Sequence, residues 1–209
     1  MNHIFCNGNT KKALGCPTKT ASSTIEAALS PTPLHRIWNP CALLTHERLI
    51  LKNFEFAVLV RNPVDWYVSG YRYALWNEAL LYKTANFTQH LLNINEALNI
   101  DRFDHIDLKY GLMWLNHCVV DPVLSAKHIG ITPIKYIQIE SNLELHVSEW
   151  LDVDFKMPSP HNTNTFVHYP KLTDTDKNLI KDLSSSWAKE AGYDIDKCIS
   201  EYEAKVNTL

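Results

Sequence analysis

FAVLVRNPVDWYVSGYRYALW, residues 56 to 76, is the stretch that decides the fold. It opens on Phe56-Ala57-Val58-Leu59-Val60, apolar at every position and β-branched at Val58 and Val60. A run of that kind reads as a strand buried on both faces, the parallel-sheet type. It stops at Arg61-Asn62-Pro63. Asn62 suits an N-cap, Pro63 the first helical position, and Asp65 at the third helical position completes a start resembling a capping box. The chain therefore leaves a central strand and turns at once into a helix, with Arg61 at the strand's carboxyl end. Ligands of open α/β sheets bind at that edge, and an arginine there offers a planar, permanently charged fork to a phosphate. Ser69, eight residues on, lies about two helical turns away and can share a face with the helix start. Trp66, Tyr67, Tyr71 and Tyr73 read as core aromatics. Arg61 does not read as an ordinary surface arginine, because an Arg-Asn-Pro break at the end of a buried strand needs a reason.

Working outward, 209 residues fit one domain spanning 1–209, large enough to bury a substantial core. A net charge of −3 makes no global electrostatic case for nucleic acid or an anionic membrane, so any anion site has to be local. Five cysteines, Cys6, Cys16, Cys41, Cys118 and Cys198, are an odd number without CxxC spacing. That argues against a zinc site and a full disulfide framework and suggests a reducing compartment. No charged-then-apolar leader opens the sequence, and no apolar run approaches the ~20 residues of a membrane span. The expectation is a cytoplasmic protein with no membrane span.

In chain order, His3 to Cys6 reads as a short strand and Asn7-Gly8-Asn9-Thr10 as a hairpin turn. Ala13 to Cys16 is then the first strand of the main sheet, and Ile25 to Leu29 a helix ended by Pro31 and Pro33. His35 to Trp38 reads as another strand and Cys41 to Leu51 as a helix. The helix beginning at Pro63 extends toward Leu81. Phe87 to Leu98 reads as an amphipathic helix capped by Asn86, with Phe87, Leu91, Leu92 and Leu98 apolar. Leu108 to Val120 reads as a helix covering the sheet, Ile134 to Ile139 as a late strand ending in Glu140, and Leu143 to Leu151 as a helix. Pro158 to Thr165 is a polar loop. Thr173 to Ala191 reads as one long helix stopped by Gly192. Strands alternating with helices indicate a three-layer α/β fold with a central, mainly parallel sheet.

Between the first strand and its helix lies Pro17-Thr18-Lys19-Thr20-Ala21-Ser22-Ser23-Thr24, with one lysine, several hydroxyls and no bulky side chain. Backbone amides at a helix start, the positive helix end and short hydroxyls all suit an anion, and Lys19 adds a mobile point charge. Read by itself, the segment is equally a Ser/Thr-rich N-cap with an incidental lysine.

Taken together, the two loops resemble the cofactor motifs of sulfotransferases. Lys19-Thr20-Ala21-Ser22-Ser23-Thr24 is similar to the 5′-phosphosulfate loop. Arg61-Asn62-Pro63-Val64-Asp65 with Ser69-Gly70-Tyr71 is similar to the 3′-phosphate motif. The resemblance is to the carbohydrate branch, sulfotransferase family 2, and continues weakly through Tyr136 to Glu140, the His161-Asn162 loop and Gly192-Tyr193-Asp194. Two departures stand out: Thr18 separates Pro17 from Lys19, and Trp66 stands where an arginine commonly follows the aspartate.

The resemblance implies a P-loop-NTPase-like fold and in-line transfer of a sulfuryl group from 3′-phosphoadenosine 5′-phosphosulfate (PAPS), without a metal, to a hydroxyl or amine of a saccharide acceptor. Lys19, the amides of residues 20 to 24 and the Ser22 and Ser23 hydroxyls would stabilise charge on the leaving phosphate. Arg61 and Ser69 would hold the 3′-phosphate. For the base that deprotonates the acceptor, His46, His35 and a carboxylate all stand, with His46 the choice. Residues 77 to 107 and 158 to 170 are the expected acceptor loops. The alternatives are a small-molecule kinase of the P-loop type and a non-catalytic nucleotide-binding relative. The kinase would need GxxxxGK[ST], and Gly15-Cys16-Pro17-Thr18-Lys19-Thr20 has no glycine before its lysine.

Overall fold

The computed structural model describes residues 3–17, 20–38, 51–76, 86–99, 122, 126, 130–157 and 169–208. The helices expected over residues 41–50 and 108–120, the extension toward Leu81, and the loop at 158–165 lie outside these residues. So do Lys19 and His46.

Five strands form one sheet in the order β3-β1-β2-β4-β5. β1 (His3–Asn7) and β2 (Lys12–Cys16) are the expected hairpin. Its turn is held by Asn7, whose Oδ1 accepts from the Asn9 and Thr10 amides at 2.9 and 3.3 Å. β3 (His35–Trp38) pairs antiparallel with the far side of β1. β4 (Glu55–Val60) lies parallel to β2, and β5 (Lys135–Gln138) parallel to β4. Four of the five strands share one direction, as expected of a mainly parallel sheet, and β1 alone runs against them. A tight hairpin can join only antiparallel strands, so β1 opposes β2, and β3 docked on β1 is antiparallel to it in turn.

From Phe56 to Val60, β4 is no more than 1% exposed at any residue, as a strand covered on both faces must be. The residue alternation of a strand divides it between two helical layers. Ala57 and Leu59 join the cluster built with α1 (Ser22–Leu29) and α4 (Leu143–Leu151). Val60 joins the cluster of α2 (Pro63–Trp76), α3 (Phe87–Leu98), α5 (Asp174–Ser184) and α6 (Ile195–Val206). The architecture is thus α/β with helices on both faces of the sheet. No helix among the described residues is long and apolar enough to cross a membrane.

Two helices depart from expectation. On α3 the buried stripe is Phe87, His90, Leu91 and Ile94, whereas Leu92 is 42% exposed because it falls off that face. The expected helix from Thr173 to Ala191 ends at Ser184, where Ser184-Ser185-Ser186 weakens helical propensity. Tighter turns follow to Gly192, with the Ser185 amide bonding to Asp182 O and the Trp187 amide to Ser184 O. Gly192 does close a helical stop, at φ 82°. The Tyr193 amide reaches Ala188 O at 2.8 Å and the Gly192 amide Lys189 O at 3.0 Å, the paired bonds of a Schellman turn. α6 was not expected, although Asp194 caps it through the Lys197 amide and Cys198, Ile199 and Tyr202 form its buried stripe.

Candidate functional site

β2, β4 and β5 run parallel, so their carboxyl ends share one sheet edge. From that edge β2 feeds α1 on one face, and its neighbour β4 feeds α2 on the other. Adjacent strands whose following helices diverge in this way leave a crevice between their carboxyl ends.

The β2 side of the crevice is Pro17, Thr20, Ala21 and the start of α1, which begins at Ser22, three residues ahead of the expected Ile25. Ser22, Ser23 and Thr24 consequently form the first helical turn. Thr20 is wholly buried and turned inward, its hydroxyl donating to Pro17 O at 2.7 Å. Thr24 is also buried, whereas Ser23 is exposed. Ala21 occupies the N-cap position in the left-handed region, φ 54°, a conformation costing a non-glycine residue about 1–2 kcal/mol. It supplies no side-chain cap, and the first turn carries no acidic residue, so among the described residues no side chain neutralises the positive end of α1 at this edge.

The β4 side is built differently. Arg61 is half-buried at the strand end. Asn62 caps α2 as expected, its Oδ1 accepting from the Val64 and Asp65 amides at 3.1 and 3.3 Å and its carbonyl from the Trp66 amide at 2.9 Å. Asp65 does not close the capping box. The Asn62 amide donates instead to Glu140 Oε1, 2.8 Å away at the end of β5, while Asp65 lies 3.7 Å from Lys205 of α6. The other oxygen of Glu140 accepts from the Tyr193 hydroxyl at 2.6 Å. Burial, then the bond to Glu140 and its charge, push the Tyr193 phenol well above its ordinary range, and Arg61 pulls the other way. Ser69 is half-buried and shares a stripe of α2 with Asp65 and Arg72, which pack toward Lys205 of α6 and Tyr169.

His35 is placed away from this crevice. It pairs with Cys6, which in turn faces Ala13, so it lies toward the opposite edge of the sheet. Among the described histidines, the one at the carboxyl edge is His3, opposite Cys16. Its Nε2 is 3.2 Å from Glu26 of α1, whose other oxygen takes a 2.6 Å bond from Arg36. His3 is 6% exposed and burial holds its pKa below the ordinary value against the pull of Glu26. Buried and engaged, it tethers α1 to the sheet.

The contribution of Glu140 and Tyr193 was not read from the sequence. The sequence offers a carboxylate just beyond β5 and a weak motif resemblance around Tyr193, but nothing local that pairs the two. No family model matches this chain, and no curated protein or solved structure matches it either.

Proposed function

We propose that this protein is a PAPS-dependent sulfotransferase acting on a hydroxyl or amine of a saccharide, on a core of the P-loop-NTPase type. The observation that carries the proposal is that β2 and β4 are parallel neighbours whose following helices lie on opposite faces of the sheet. This arrangement pairs an uncapped helix start with an arginine at the neighbouring strand end, where one nucleotide carrying two anionic groups can span both. The motif resemblance of both loops supports the same assignment. In this reading the first turn of α1 and Lys19 receive the 5′-phosphosulfate, and Arg61 with Ser69 the 3′-phosphate. Thr20 contributes by fixing the loop, because its hydroxyl already bonds to Pro17 O.

In the reaction the acceptor oxygen forms a bond to sulfur as the bond from sulfur to the bridging phosphate oxygen breaks. The acceptor's proton passes to a base, assigned to His46, and 3′-phosphoadenosine 5′-phosphate leaves. The role of Lys19 and the α1 amides is to meet charge growing on that bridging oxygen. The test is transfer of labelled sulfuryl from PAPS to a saccharide panel, with a metal chelator present. Transfer that persists in chelator supports the proposal. Transfer of a phosphoryl group from ATP that requires magnesium would replace it with the kinase reading.

A further inference from the structure

We infer that Glu140 and Tyr193 are positioning residues of the nucleotide site, holding the Arg61-Asn62 turn so that Arg61 selects for a 3′-phosphate. The inference rests on the nucleotide reading above and adds the C-terminal turn to that site. Every backbone polar group of Asn62, and its Oδ1, is engaged. Oδ1 takes the Val64 and Asp65 amides, the carbonyl takes the Trp66 amide, and the amide goes to Glu140. The start of α2 is therefore closed, unlike that of α1. In this reading the anion at the β4 end is met by Arg61, which stands on that turn.

That turn is fixed from outside its own helix. Glu140 reaches it from β5, whose pairing with β4 is continued by the Ile139 amide on Val60 O at 3.0 Å. Tyr193 fixes Glu140 in turn, and the Schellman turn at Gly192 fixes Tyr193. Gln138 of β5 donates to Ala191 O and ties the same turn to the sheet. The series Tyr193, Glu140, Asn62, Arg61 thus joins the C-terminal segment to the crevice. A carboxylate beside an expected phosphate repels it, so its value here lies in its geometry as a double acceptor, not in its charge.

Affinities for adenosine 3′,5′-bisphosphate and adenosine 5′-monophosphate, measured for parent, E140A, E140Q and Y193F, test this. The parent should prefer the bisphosphate. E140A should cut that preference about tenfold by weakening the bisphosphate alone, and Y193F about two- to fivefold. E140Q keeps an oxygen for the Asn62 amide and an NH₂ for the Tyr193 oxygen, so it should retain the preference. If E140A does not fold, Y193F decides, since it removes one hydroxyl. Parent-like preference in every folded variant would overturn the inference, as would an equal loss in E140Q and E140A. A parent protein that binds both nucleotides equally is a different result, and it contradicts the nucleotide reading itself.

Discussion

Lys19 and Arg61 have separable jobs in this account, and single substitutions tell them apart. A group that meets charge only as the sulfuryl leaves lowers the rate when removed and changes donor binding less. Lys19→Ala should therefore reduce single-turnover transfer at saturating donor by roughly 10²–10³. Lys19→Arg should not restore it fully, since a planar fork cannot place a point charge in the same spot. Transfer at the parent rate once saturated would make Lys19 an anion anchor only. His90 carries a second prediction at this scale. It is wholly buried against Tyr71 and Phe87, neither ring nitrogen has a hydrogen-bond partner among the described residues, and burial pulls its pKa down to about 3. An unfolded histidine takes its proton near 6.5, so the unfolded state binds more protons as pH falls from there toward 3. The stability His90 lends is complete above that range and is lost through it, at up to about 1.4 kcal/mol per pH unit. Urea titrations should show a flatter acid limb for His90→Leu than for the parent, and identical limbs would place the acid sensitivity elsewhere.

At the scale of elements, the turn closed by Gly192 is the most exposed to a single change. Its φ of 82° suits glycine, and a Cβ there would come within 3.1 Å of the Gln138 amide nitrogen. Gly192→Ala should cost about 1 kcal/mol or more, read as a lower midpoint in thermal unfolding. An unchanged midpoint would show that the turn relaxes freely. Elements with a local signal were legible in the sequence: the Asn7 to Thr10 hairpin, β4, the Asn62 cap, and helices α3 and α4. The break at Ser184 was harder to see, because apolar spacing continues through Trp187 and Ala188 while three serines interrupt the backbone pattern. α6 has a local signal in Asp194 and the spacing of Ile195, Cys198, Ile199 and Tyr202, but the strong stop at Gly192 immediately before it masks that signal. The one reversed strand, β1, followed from the hairpin already identified.

For the whole molecule, the candidate site emerges from topology more than from any one motif. Two loops far apart in sequence become neighbours because β2 and β4 pair, and they face a shared crevice because their helices diverge. The sequence carried Lys19, Arg61 and the hydroxyl-rich loop as residue types. It did not carry the closure of α2 by Glu140 or its support by Tyr193, since nothing local marks a partner on another strand. It also suggested His35 as a base, which the register of β3 places toward the opposite edge. On the proposed reading, this edge binds a nucleotide through both of its anionic ends. Titration calorimetry of the parent and Arg61→Ala with adenosine 3′,5′-bisphosphate and with adenosine 5′-monophosphate tests it most directly. A charged, hydrogen-bonded contact contributes on the order of 1.5–3 kcal/mol, so the parent should bind the bisphosphate at least about tenfold tighter, and Arg61→Ala should erase that margin. Equal affinity of the parent for both nucleotides, or an equal loss for both in Arg61→Ala, would contradict it.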